Sequence, residues 1–105
     1  MKLLVFLACL LAAPAIAATP NGKDIFLRGN QNGAMPCAAC HGMNGRGNSA
    51  IGAPQLAGLP AGVISSDLAN FANGGGGNAT MQFIAQALTP AEAAAVAQYL
   101  SSLPK

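Results

Sequence analysis

The sequence predicts an all-α domain of three to four short helices. Apolar residues recur at helical spacing in segments that begin near positions 22, 61 and 90, and no segment alternates between polar and apolar residues as a strand does. Stretches rich in Gly, Asn and Pro separate these segments, as loops do. After residue 18 the chain also has few large apolar side chains and no tryptophan. A helical domain with so small a core needs another component to fill its interior.

The first 18 residues are typical of a secretory signal peptide. A basic second residue precedes an unbroken apolar run over residues 3–11, and Ala15-Ile16-Ala17 supplies the small-x-small pattern of a cleavage site. This run is too short to span a bilayer stably. We therefore expect residues 1–18 to direct export to the periplasm and residues 19–105 to form the domain. The alternative, lipid attachment at Cys9, is disfavoured because the apolar run continues beyond that residue.

The charge pattern excludes some classes of partner. Charged residues make up 8% of the chain, and the formal net charge is +2. Because there is no basic stripe with interleaved aromatic residues, the sequence gives no support for nucleic-acid binding. There is no second long apolar stretch, so we expect no stable membrane insertion.

The first two helices are predicted as follows. One runs from Gly22 to about Asn30. The second follows Leu59-Pro60 and runs from about Ala61 to Ala72, with apolar residues at positions 63, 64, 68 and 71 that would share a face.

The last two helices follow a loop of Asn, Gly, Ala and Thr over residues 73–80. Residues 81–88 are expected to form one or two helical turns. The final helix runs from Pro90 to about Ser102 and has the strongest signals, because Thr89 can act as N-cap, Pro90 occupies the first helical position and Glu92 completes a capping box.

The segment PCAACHG, residues 36–42, contains the single histidine of the chain and both cysteines that follow the leader. A structural zinc site needs four ligands, and a redox dithiol is expected near a βαβ pattern, so neither fits well. Cys-x-x-Cys-His is the attachment signature of c-type haem. The thiols of Cys37 and Cys40, one short turn apart, can bind the two vinyl groups of one porphyrin while His41 reaches the iron. The sequence thus predicts one covalent haem c.

From Gly22 onward the chain resembles the small soluble class I c-type cytochromes of bacteria, in particular single-haem carriers and the halves of di-haem carriers. The resemblance is carried by CAACHGMNGRGNS (37–49), PQLAG (54–58), DLANFANG (67–74), MQFIAQALT (81–89) and AVAQYLSSL (95–103). It implies the small cytochrome c fold, wrapped around one haem. It also implies a one-electron carrier, not itself an enzyme, that exchanges electrons with redox partner proteins. A haem subunit docked to a dehydrogenase or oxidase is the alternative.

Met81 is the candidate for the second axial ligand. A single histidine excludes bis-His ligation, and Met35 and Met43 lie too close in sequence to His41 to cross the ring. In the resembled cytochromes the methionine at this place is the distal ligand, and the carbonyl of the proline corresponding to Pro54 accepts a hydrogen bond from the ligand histidine. If Met81 is instead core filler, the protein would be a ligand-binding or peroxidatic haem protein.

The resemblance also implies a crossing of the first and last helices, where Gly22 and Phe26 meet Val96 and Tyr99. Two features depart from the family. The loop before the methionine is glycine alone at 74–77, which predicts a mobile distal loop, and an aromatic residue near the start of the second helix is absent. These departures leave the partners of the haem propionates open, with Arg46 as a weak candidate.

Overall fold

The structure is a computed structural model that describes residues 19–105, so the predicted signal peptide lies outside the described residues. It consists of short helices: α1 (Gly22–Arg28), α2 (Ala38–His41), a 3₁₀ turn (Ser49–Ile51), α3 (Ala61–Ala72), α4 (Ala79–Gln86) and α5 (Pro90–Ser102). Within this part of the chain, strand-like pairing is limited to one isolated bridge between Asn48 and Ala53. The all-α prediction is confirmed.

Local capping explains where the helices begin. The Thr89 hydroxyl accepts from the Glu92 backbone N–H at 3.1 Å, and the Glu92 carboxylate accepts from the Thr89 N–H at 2.9 Å, which completes the predicted capping box. α4 begins two residues earlier than predicted because the Asn78 side chain accepts from the Met81 N–H at 2.9 Å. An asparagine N-cap satisfies a backbone donor that otherwise has no partner within the helix.

α1 and α5 cross at very close range. A Cβ added to Gly22 would overlap the carbonyl oxygen of Ala95 and lie 3.1 Å from the Cβ of Tyr99. Beside this contact, the rings of Phe26 and Tyr99 pack with their centroids 5.8 Å apart and their planes tilted by 45°. The predicted helix crossing is confirmed, and it depends on the missing side chain at position 22.

The core is small and lies behind a cleft. Among the described residues the largest fully buried side chains are Phe26, Val96 and Leu100. On α3 the predicted apolar face is narrower than expected: Ile64 is buried, whereas Val63 is 46% exposed. Successive helical positions are about 100° apart, so residue 63 lies off the stripe that Ile64 begins.

One asparagine joins distant parts of the fold. The amide nitrogen of Asn30 donates to the carbonyl oxygen of Ala87 at 2.7 Å and to the Glu92 carboxylate at 3.1 Å. Its side-chain oxygen accepts from the backbone N–H groups of Asn32 and Ala34. The segment that leads into α2 is thereby tied to the corner between α4 and α5.

Across residues 19–105, no helix combines the length and the apolar character needed to cross a membrane.

We expect Gly22→Ala to lower the free energy of unfolding by about 2 kcal/mol, because the added methyl group forces α1 and α5 apart. Gly62→Ala is the matched control, since Gly62 is also a helical glycine but has no neighbouring atom within 4 Å of an added Cβ. That substitution should raise the stability by up to about 1 kcal/mol. Urea denaturation followed by circular dichroism measures both, and equal stability of the two variants would contradict the crossing.

Candidate functional site

All five residues that the sequence singled out lie around one cleft. The cleft has a volume of about 740 Å³, and Cys37, Cys40, His41, Pro54 and Met81 all line it. Most of its remaining wall is apolar, with side chains from α3, α4 and α5. The structure therefore brings together residues that are separated by up to forty-four positions in the chain, since Met81 follows Cys37 by 81 − 37 = 44.

The attachment motif forms a helical turn. Cys37 is the N-cap of α2, and its carbonyl oxygen accepts from the His41 N–H at 2.9 Å. Positions 37, 40 and 41 are therefore spaced i, i+3 and i+4 on one helical turn, and such positions share a face. This geometry explains the spacing of the motif, because two thiols and an imidazole are turned towards the same cleft.

His41 is held in one tautomer and one orientation. Its side chain is 6% exposed, and its Nδ1 lies 2.9 Å from the carbonyl oxygen of Pro54. Because a carbonyl oxygen can only accept, Nδ1 carries the proton and donates it to this bond. The lone pair is then on Nε2, which is the arrangement of a histidine that binds a metal through Nε2.

Gly47 allows the Pro54 carbonyl to lie close to the His41 ring. The Gly47 N–H donates to the carbonyl oxygen of His41 at 2.7 Å, and a two-bond bridge between Asn48 and Ala53 then returns the chain to Pro54. Gly47 has a φ of +83°, and an added Cβ would lie 2.7 Å from the carbonyl carbon of Pro54. This contact was not predictable from the sequence, because a glycine in a Gly-rich loop carries no signal of what approaches it.

The distal wall of the cleft is the first turn of α4. Met81 is half-buried there and lines the cleft. Met35 also lines it but is 48% exposed, and Met43 is 67% exposed and does not line it. Arg46 is exposed and does not line the cleft either, so the structure does not bring this candidate to the site.

The two alternative chemistries of the cysteines receive no support. Burial raises the pKa of the Cys37 thiol above its usual value, and a backbone hydrogen bond opposes this only in part. A nucleophilic dithiol needs a lowered thiol pKa, which is the opposite direction. Among residues 19–105, no group of three or more His, Cys, Asp and Glu side chains is arranged to hold a metal ion.

The donor set fits a covalent c-type haem. Two thiols and a buried imidazole with a free Nε2 face one cleft of apolar lining, and a methionine on a different helix completes the wall. A thioether is a soft ligand of the kind found opposite histidine in cytochromes. The assignment of His41 and Met81 as iron ligands, and of Pro54 as the partner of the histidine, stays a prediction.

Comparisons with known proteins agree with this geometry. The thiosulfate dehydrogenase electron acceptor of Stutzerimonas stutzeri is 43% identical over 98 residues, which are 92% of this chain and 44% of that protein. The structure of cytochrome c4 from Acidithiobacillus ferrooxidans superposes with a TM-score of 0.74 at 41% identity, over 78% of this chain and 48% of the other. That of thiosulfate dehydrogenase from Marichromatium purpuratum gives a TM-score of 0.75 at 33% identity, over 79% and 18% respectively.

The chain thus spans less than half the length of each of these three proteins. The sequence profile of the cytochrome c family matches residues 21–104, which is nearly all of the described chain. This match, the close relatives and the cleft agree with one another. The chain belongs to the cytochrome c family, and its cofactor is the covalent c-type haem of that family.

Proposed function

We propose that this chain is a periplasmic one-electron carrier, which holds its haem between His41 and Met81 through thioether bonds to Cys37 and Cys40. The observation that carries the proposal is the single cleft that gathers these four residues with Pro54. When bound, the haem supplies an iron that alternates between the ferrous and ferric states. Export follows from the signal peptide expected over residues 1–18, and an oxidising compartment suits a chain whose two remaining cysteines are consumed by attachment.

His41 and Met81 would act on the reduction potential of the haem in opposite directions. The bond from His41 Nδ1 to the Pro54 carbonyl fixes the plane of the imidazole and makes Nε2 more basic, which favours ferric iron. The thioether of Met81 acts in the opposite direction and raises the potential. With His41 and Met81 both holding the iron, the site would suit electron transfer and would leave no position for a substrate.

Partner proteins would dock on an apolar rim, which we define as Met35 and Ile51. Their side chains are 48% and 58% exposed, and both line the cleft itself. An electron enters most readily where the cofactor comes nearest to the surface, so an exposed apolar rim at the cleft favours contact there. The sparse charge of the chain leaves little to steer a partner from a distance.

A second candidate function is that of a haem subunit docked to a dehydrogenase. It is favoured by the similarity to a protein described as a thiosulfate dehydrogenase electron acceptor and to the structure of a thiosulfate dehydrogenase. In both candidates the chain itself accepts and passes on electrons. They differ in whether the complex with the dehydrogenase persists. Co-purification of the two proteins at nanomolar concentration would indicate the permanent subunit.

Absorption spectra test the ligands. The holoprotein, purified from a host that matures c-type cytochromes, should show a c-type reduced spectrum, a far-red methionine–iron(III) band and no carbon monoxide binding. Met81→Ala should retain covalent haem, lose the far-red band and bind carbon monoxide when reduced, because one axial position is open. Met35→Ala, which also removes a methionine from the cleft wall, should behave as the wild type.

Other outcomes of the spectra would separate the alternatives. Prompt carbon monoxide binding by the wild type would move the function towards ligand sensing or peroxide chemistry. A purified protein with titratable Cys37 and Cys40 thiols and no covalent haem would contradict the proposal as a whole.

Redox titration tests the bond between His41 and Pro54. We expect Gly47→Ala to raise the reduction potential by tens of mV, because the added methyl group displaces the Pro54 carbonyl and leaves a less basic imidazole. Gly52→Ala is the matched control: Gly52 also has positive φ, +72°, but an added Cβ there meets nothing within 4 Å. A potential that shifts equally in both variants would show backbone strain rather than the hydrogen bond to be responsible.

Kinetics with a physiological donor or acceptor test the rim. We expect Ile51→Glu to slow electron transfer about tenfold, since a charge would be buried in an apolar contact. Phe83→Glu should have little effect, because Phe83 is equally exposed at 58% but does not line the cleft. The wild-type rate should vary weakly with ionic strength, and a tenfold fall between low and physiological salt would contradict apolar docking.

A further inference from the structure

The loop that precedes Met81 has almost no side chains that could fix its conformation. We call residues 73–78 the distal loop; four of its six residues are glycines. Glycine loses more conformational freedom on folding than any other residue, so the closed form of this loop is costly. On the α3 side it is fixed by three backbone bonds, from Asn73 N–H to the Ala69 carbonyl at 3.0 Å, from Gly74 N–H to the Phe71 carbonyl at 2.9 Å and from Gly75 N–H to the Asn70 carbonyl at 2.8 Å.

On the α4 side the middle of the distal loop is bound by the side chain of Gln82. The amide nitrogen of Gln82 donates to the carbonyl oxygen of Gly74 at 3.0 Å and to that of Gly75 at 3.1 Å. Gln82 is half-buried and directly follows Met81 in α4. One amide group thus joins the middle of the glycine segment to the helical turn that carries the methionine.

The connection affects Met81 because the first turn of α4, which carries this residue, contacts the distal loop through both Asn78 and Gln82. The Met81 N–H is capped by the side chain of Asn78, the last residue of the distal loop. The buried residues of α4, Ile84 and Ala85, lie in its second half, so its first turn has less packing to hold it. If the first turn of α4 separates from the glycine segment, which the backbone bonds hold to α3, the two Gln82 bonds break and Met81 leaves the cleft wall.

We propose that Gln82 is a positioning residue that fixes the distal loop against α4 and thereby sets how firmly Met81 stays on the iron. The proposal rests on the proposed function, in which Met81 is the distal ligand. The sequence alone suggests that the glycine segment moves freely. In the structure, an open form without Met81 at the cleft must first break the two hydrogen bonds from Gln82. A ligand that competes with Met81 binds only that open form, so its apparent affinity reports the open fraction.

Gln86 provides a matched control on the same helix. It lies one turn after Gln82, and its amide nitrogen donates to the carbonyl oxygen of Ala72 at 3.4 Å. This bond joins α4 to the end of α3 without involving the glycine segment. Loss of the Gln86 amide therefore weakens the contact between α3 and α4 but leaves the hold on the distal loop intact.

The experiment is an imidazole titration of the ferric holoprotein, followed by loss of the far-red band. We expect Gln82→Ala to raise the apparent imidazole affinity about tenfold, in line with the loss of two hydrogen bonds from a half-buried amide. Gln82→Glu keeps the length of the side chain but removes the donor, so it should also raise the imidazole affinity about tenfold. This variant serves as the test if Gln82→Ala does not fold. Gln86→Ala should stay within about twofold of the wild type. Thermal denaturation of the same samples shows whether the variants are equally stable.

The outcomes separate this proposal from the one on which it rests. A wild type with the far-red band and Gln82 variants whose imidazole affinity is unchanged would overturn the role of Gln82 alone. An equal rise in Gln86→Ala would also overturn it, because a general weakening of α4 would then explain the effect. A wild type without the far-red band would overturn Met81 ligation and, with it, this inference.

Discussion

The described part of this chain cannot close its interior with its own side chains. Its largest fully buried residues are Phe26, Val96 and Leu100, and two of these, Val96 and Leu100, also line the cleft. α5 therefore serves two interfaces at once: one side packs on α1, and the apolar residues beside it face the space that the haem fills. Burial of apolar surface is the main favourable term in folding, so the cofactor completes the core as well as supplying the redox centre.

The two walls of the cleft are held by different means. On the proximal side the backbone itself is packed: Gly47 lies against the Pro54 peptide so closely that a methyl group has no room, and the His41 imidazole is fixed by a carbonyl. On the distal side the glycine segment is joined to α3 by backbone hydrogen bonds and to α4 by the side chains of Gln82 and Asn78. The turn of α4 that carries Met81 is therefore joined to the loop by side-chain hydrogen bonds, which water can replace.

Local signals made the helices and the haem-attachment motif predictable. The capping box at Thr89 and the sequence Cys-x-x-Cys-His are both contained in a few consecutive residues, so the sequence displays them directly. The bonds made by Asn30 and Gln82 were not predictable. Asn30 reaches acceptors 57 and 62 positions away, and an amide side chain in a polar stretch is indistinguishable from a solvated one until its neighbours are known. The exposure of Val63 was missed for a related reason, because adjacent apolar residues do not show which of them faces the core.

The crossing of α1 on α5 has a consequence for how the chain folds. Contact between residues 22 and 95 closes a loop of roughly seventy residues, and the entropy of closing a loop grows with its length. α3, α4 and α5 are joined by short connections and can associate locally, whereas α1 must find its place across nearly the whole chain. Folding slows as the mean sequence separation of contacts rises, so this small helical protein should fold more slowly than a bundle of sequential helices.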